Sequence, residues 1–119
     1  MRLSGTEYAI MQVIWDKEDT VTSQDILDVL ADKGWKQPTV LTFLNRLQEK
    51  GMLTSEKQGR VRRYTACMSR EEYARRETRV LLDDLYGGSV GQMVACLSKG
   101  GLTAEDRAVL KQILEGEWE

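Results

Sequence analysis

Residues 36–66 read KQPTVLTFLNRLQEKGMLTSEKQGRVRRYTA. Pro38 suits the first helical position, where its missing N–H has no partner to lose, and Gly51 suits the left-handed residue just past a helix end. Between them Val40, Phe43, Leu44 and Leu47 recur at i, i+3, i+4 and i+7, the spacing of a buried stripe. The opposite side carries Thr39, Thr42, Asn45, Arg46 and Glu49, short polar side chains with one long guanidinium where an ordinary solvated face would be dense in Lys and Glu. Leu41 lies one residue, about 100°, from the edge of the stripe and is expected to be only partly covered. Past Gly51, Leu53 to Lys57 and Arg60 to Ala66 read as two short strands, with a turn at Gln58-Gly59 where glycine tolerates the positive φ of a tight hairpin. Arg60, Arg62 and Tyr64 share one parity, so that face mixes charge with an aromatic; a bulge or an open hairpin tip would resolve the conflict.

Towards the N-terminus, Ser4 and Glu7 have capping-box spacing, which opens a helix over Thr6 to Lys17 with Ile10, Met11, Ile14 and Trp15 on one face and Val13 at its edge. Thr22, with Asp25 in the first turn, caps a second helix carrying Ile26, Leu27, Val29 and Leu30, which Gly34 stops after Lys33. Towards the C-terminus, Ser69 and Glu72 repeat the capping-box spacing ahead of a helix with Ala74, Thr78, Leu81, Leu82 and Leu85 on one side, closed by Gly87-Gly88. Val90, Met93, Val94 and Leu97 make another stripe, ended by Gly100-Gly101. Thr103 with Asp106 caps the last helix, where Leu110, Ile113, Leu114 and Trp118 are apolar. The fold class is therefore mainly α with a small β-hairpin: a winged helix-turn-helix over residues 1–68 and a helical arm over residues 69–119.

The chain has 119 residues and a net charge of −2, but the charge is divided unevenly. Residues 36–63 hold Lys36, Arg46, Lys50, Lys57, Arg60, Arg62 and Arg63 against Glu49 and Glu56, seven basic less two acidic, or +5; residues 69–119 hold seven basic and ten acidic, or −3. A basic segment beside a polar, non-acidic helix face is the electrostatic footprint of a nucleic-acid surface. On this reading Thr39, Thr42, Asn45 and Arg46 face double-stranded DNA, Arg46 donating bidentately to guanine or clamping a phosphate and Asn45 pairing with adenine. Leu41 touches a thymine methyl or packs beneath the wing. Lys36 and Gln37 at the helix start and Arg60, Arg62 and Arg63 on the hairpin complete the candidate surface, the basic ones on phosphates. The alternative is that Arg46 bonds Glu49 or Glu7 and that the hairpin arginines only keep an edge strand soluble.

Other classes fit poorly. The chain has no histidine, no Gly-x-Ser-x-Gly elbow and no phosphate-binding glycine loop, so catalysis has no sequence support. Asp83 and Asp84 are adjacent on a helix and diverge by about 100°, and two cysteines without histidine make an incomplete zinc site, so neither a metal nor a cofactor is expected. Cys67 and Cys96 are expected as free, partly buried thiols in a cytoplasmic protein, since no apolar run spans a bilayer and the N-terminus lacks a secretory h-region. A winged helix that binds a protein partner instead of DNA is the other reading left open.

The chain resembles the penicillinase-repressor family, the Bla and Mec regulators of β-lactam resistance, with the copper-responsive Cop repressors as relatives. The resemblance runs through Leu3-Ser4, Glu7, Val13-Ile14-Trp15, Thr39-Val40, Thr42 to Leu44, Arg46-Leu47, Lys50-Gly51, Gly59-Arg60-Val61 and Tyr64-Thr65, and into the arm at Gly91-Gln92-Met93-Val94. It implies a dimeric repressor on a palindromic operator, often with a TACA/TGTA-type core, encoded near a membrane-bound sensor protease that would be a further partner. Two departures stand out. Arg62-Arg63 occupies a place where family members often carry an aromatic or aliphatic pair, and Cys96-Leu97 stands where the β-lactam regulators have the cleaved Asn-Phe peptide. The cysteine-rich tail of the copper-responsive relatives is absent. Fifty C-terminal residues cannot bury three apolar stripes alone, so Leu81, Leu82, Leu85, Tyr86, Val90, Met93, Val94, Leu97, Leu110, Ile113 and Leu114 are expected to pair with a second copy.

Overall fold

The computed structural model describes residues 2–117; Trp118 lies outside them. The order of elements is α1 (Gly5–Lys17), α2 (Ser23–Val29), α3 (Gln37–Glu49), β1 (Leu53–Gln58), β2 (Val61–Ala66), α4 (Arg70–Tyr86), α5 (Val90–Lys99) and α6 (Ala104–Leu114), with a 3-10 turn at Ala31–Lys33. Capping residues set the starts. Ser4 and Glu7, Thr22 and Asp25, and Thr103 and Asp106 each form a reciprocal capping box, which satisfies N–H groups that the first turn leaves unpaired. Ser69 Oγ accepts from the Glu72 N–H ahead of α4, and Ser89 Oγ accepts from the Gln92 N–H at the start of α5. Among the described residues no helix is long and apolar enough to cross a membrane.

The helix-ending signals need two adjustments. α2 stops at Val29, and the 3-10 turn carries the chain to the left-handed Gly34, φ +69°. Val29 is thus at a helix end and exposed, while Ile26 is fully buried. Pro38 sits at the second helical position behind Gln37, still within the turn that needs no proline N–H. At the other end of α3 the Met52 N–H reaches the Leu47 carbonyl and the Gly51 N–H the Gln48 carbonyl, a Schellman closure with φ +78° at Gly51. Leu47 and Met52, the residues that this closure folds together, are both buried.

β1 and β2 pair antiparallel in unbroken register from Leu53 with Ala66 to Gln58 with Val61, so the two turn residues are Gly59 and Arg60. The expected turn at Gln58-Gly59 moves by one residue, and Arg60 belongs to the tip rather than to a strand. Gly59 has φ +66° at the first central position, the place glycine takes in a II′ hairpin turn. No bulge interrupts the ladder: the mixed face is tolerated because the tip is open, with Arg60 and Arg62 exposed and Tyr64 buried at the root. Val21, between α1 and α2, bridges Tyr64 through two backbone hydrogen bonds of 3.0 and 2.8 Å and lies along the other edge of β2.

The chain divides into two compact units, one up to Arg75 and one from Arg76 onward. The first is built round Ile10, Met11 and Ile14 of α1, Ile26 of α2, Val40, Leu44 and Leu47 of α3, and Val21, Met52, Leu53 and Tyr64. It includes the first turns of α4. Tyr73 is buried, its hydroxyl accepts from the Leu3 N–H at 3.2 Å, and its ring lies about 6 Å from both Tyr8 and Trp15. Arg70 bonds Asp16 at 2.6 Å and stands 5.5 Å over the Trp15 ring, whose N–H donates to the Met68 carbonyl. The second unit comprises the rest of α4 with α5 and α6. In it Leu82 is buried, Leu81, Tyr86, Met93, Val94 and Leu110 are half-buried, and Leu85, Val90, Leu97, Ile113 and Leu114 are exposed. Cys67 and Cys96 are free as expected, but both are exposed rather than partly buried, because neither falls on an inward position of its segment.

Candidate nucleic-acid interface

α3 presents its polar side because Val40, Leu44 and Leu47 fix the opposite side in the core with no exposure at all. Lys36 caps α3 without a side-chain hydrogen bond and is exposed, as are Thr39, Thr42, Asn45 and Arg46. The Thr42 hydroxyl donates to the Pro38 carbonyl at 3.0 Å, and the Arg46 guanidinium lies 5.2 Å from the Phe43 ring centre. Phe43 in turn lies 6.4 Å from Trp35, so a half-buried aromatic pair supports the flank on which Arg46 stands.

The other flank of α3 faces the wing. Gln37 and Leu41 join Thr22, Ser23 and Gln24 at the start of α2 and Arg60, Val61, Arg62, Arg63 and Tyr64 of the hairpin round a cavity of about 480 Å³. Of the residues expected from sequence, the structure thus gathers Gln37, Leu41, Arg60, Arg62 and Arg63 into one groove. Thr39 and Arg46 lie roughly 140–160° round the helix from Leu41, with Thr42 and Asn45 between. Gln37 is held by its amide, which donates to Ser23 Oγ at 2.6 Å. Arg62 donates to Ser55 Oγ across the hairpin at 2.9 Å, and Arg63, half-buried, donates to Thr20 Oγ1 at 3.3 Å. Each of those guanidiniums keeps further N–H groups to offer, since the group carries five. Thr22, Ser23 and Gln24 are not among the surface residues expected from sequence, where Thr22 figures only as a helix cap. Their signal is the rule that the first helix of a helix-turn-helix crosses the DNA backbone.

Lys50 contributes to the basic count of the segment but not to the surface. Its Nζ is 2.6 Å from Glu7 Oε1, and Glu7 is buried. The same carboxylate oxygen accepts the Ser4 N–H at 2.8 Å. Burial alone would push the Glu7 carboxyl up, but the Lys50 hydrogen bond, the Ser4 N–H and hydroxyl and the charge of Lys50 together bring it below its ordinary value of 4.5. Glu7 therefore does not meet Arg46; it ties the first turn of α1 to the last turn of α3. Burial raises the Tyr64 hydroxyl above its ordinary value, with Arg62 opposing, so that phenol stays neutral at the root of the wing.

Three helices, a hairpin wing and a polar helix face flanked by arginines define a winged helix-turn-helix of the DNA-binding class. The chain belongs to the penicillinase repressor family, whose sequence profile matches residues 3–116, and it is accordingly a DNA-binding repressor and not an enzyme. The penicillinase repressor of Bacillus licheniformis is 32% identical over 115 residues, which cover 96% of this chain and 90% of that one. Among solved structures, the DNA-binding domain of the repressor BlaI matches with a TM-score of 0.53 and 33% identity over 60% of this chain and 88% of that chain. Bacillus licheniformis BlaI in monomeric form, in complex with the blaP half-operator, matches with a TM-score of 0.51 and 31% identity over 61% and 89%.

Proposed function

We propose that the chain represses transcription in the cytoplasm by binding a palindromic operator as a homodimer. The observation that carries this reading is the pairing of α3's exposed Thr39, Thr42, Asn45 and Arg46 with a groove edged by Arg60, Arg62 and Arg63. Residues 1–68 supply the DNA-binding domain. α3 enters the major groove, where Asn45 and Arg46 reach base edges, and the wing and Lys36 hold phosphates, which makes affinity steeply salt-dependent. Residues 69–119 supply the dimer contact, and the exposed Leu85, Val90, Leu97, Ile113 and Leu114 support that role, since a two-fold partner would remove them from water. The half-operator bound by monomeric BlaI supports one protein per half-site. A membrane sensor protease is the regulatory partner that family membership suggests, with Cys96-Leu97 on α5 in place of an Asn-Phe peptide.

Fluorescence anisotropy with the duplex upstream of the chain's own gene and a scrambled duplex, at two salt concentrations, tests the reading. Tight, salt-sensitive preference for the upstream duplex, weakened roughly 10-fold or more by Arg46→Ala as the loss of one bidentate contact, is the expected result. Equal weak binding to both duplexes, unchanged by the substitution, would transfer the surface to a protein partner.

A further inference from the structure

We propose that Leu41 reads a thymine: its side chain packs on the 5-methyl group in the major groove and makes an A·T pair the preferred one at a single position of each half-site. The proposal rests on the repressor reading above and adds a base identity to it. Leu41 is 37% exposed, whereas Val40, Leu44 and Leu47 on the same helix are fully buried, so it does not anchor α3 in the core. It stands among polar neighbours on the outward half of the helix, one turn after Gln37 and one turn before Asn45. The cavity it lines is otherwise made of hydroxyls, amides and guanidiniums, together with Val61, 44% exposed, and the buried Tyr64.

Among base edges in the major groove an apolar side chain has one apolar complement. Each base pair offers hydrogen-bond donors and acceptors to the major groove, and only thymine adds a methyl group. Leu41 against adenine, guanine or cytosine would cover a donor or acceptor without bonding it, which costs affinity. Against thymine it removes two apolar groups from water, and Arg60 and Arg62 across the cavity are placed to hold the flanking phosphates while it does so. The gain from burying one methyl corresponds to about fourfold in affinity.

Replacing each thymine of the upstream duplex in turn by deoxyuridine removes the methyl and nothing else. Wild-type protein is expected to lose about fourfold at one position of a half-site, and Leu41→Ala, weaker on the parent duplex, is expected to be indifferent to that same replacement. Equal losses for both proteins would assign the methyl to another side chain, and no loss at any thymine would make Leu41 a support for the wing; either result overturns the proposal while operator preference stands. Loss of preference for the upstream duplex in the wild type itself would remove both this proposal and the repressor reading. Circular dichroism of Leu41→Ala checks that α3 is intact.

Discussion

The two basic residues that differ most in what they do are Lys50 and Arg62. Both add to the charge of the segment, but Lys50 is spent on a buried carboxylate and Arg62 stands exposed on the wing with one bond to Ser55. Arg62→Ala should lower the slope of log affinity against log salt by about 0.9, the value of one released counterion, with little change in melting temperature. Lys50→Met should do the reverse, lowering the melting temperature and leaving the salt slope where it was. Glu7 gives a second prediction. Its folded pKa lies below its ordinary value, so its contribution is complete above pH 4.5 and is lost as the pH falls through the depressed value. Glu7→Gln keeps a side chain that can serve the capping box but removes the charge, and should cost roughly 1–2 kcal/mol at neutral pH, since a third of Lys50 is still in water. Urea unfolding should show that gap narrowing as the pH falls below 4.5. A gap of constant size would assign the loss to shape rather than charge.

At the scale of elements, two glycines decide how α3 and the wing are held, and one aromatic, Tyr73, ties the start of α4 to α1. An added Cβ would meet nothing within 4 Å at Gly51 or Gly59, so Gly→Ala at either position tests the backbone alone. With φ at +78° and +66° each should cost about 1 kcal/mol, visible as a lower urea midpoint, and Gly59→Asn should cost less because asparagine visits that region more readily. The caps, the end of α3 and the presence of a hairpin turn were legible in the sequence because each rests on residues within four or five positions of one another, while the start of α3 lies one residue ahead of the Pro38 that marks it. The turn slipped by one residue because Gln58-Gly59 and Gly59-Arg60 both offer a glycine, and only the strand register chooses between them. Val21 could not be read at all, since a single bridging residue has no alternation to show. Tyr73 was missed for a related reason: it lies off the leucine stripe of α4, and its partners Leu3, Tyr8 and Trp15 are more than fifty residues away. A fragment ending at Met68 should therefore be less stable by roughly 3 kcal/mol than one ending at Arg75, the scale of deleting a buried aromatic.

Over the whole molecule the sequence sets a basic segment, residues 36–63, apart from an acidic, leucine-bearing arm, residues 69–119, and the proposed division of labour, DNA contact in one and pairing in the other, can be tested by removing the arm. A fragment ending at Arg75 retains every residue of the candidate interface and the core behind it. It should melt cooperatively, stay monomeric at all concentrations and bind a single half-site duplex as the whole chain does. On the complete operator it should bind about 10²- to 10⁴-fold more weakly than the whole chain, because joining two heads turns the second binding event into an intramolecular one. Truncation alone would confuse loss of the arm with loss of pairing, so the matching variant keeps the arm: Leu85→Glu with Leu114→Glu in the full-length protein. Those side chains are 70% and 86% exposed, and charging them should leave the fold of the arm in place while placing like charges across any two-fold contact. Sedimentation should then show a monomer, and its operator affinity should fall to that of the fragment. A double variant that sediments as a dimer and binds the complete operator like the wild type would move the contact to other residues of the arm, with Val90, Leu97 and Ile113 the next to charge.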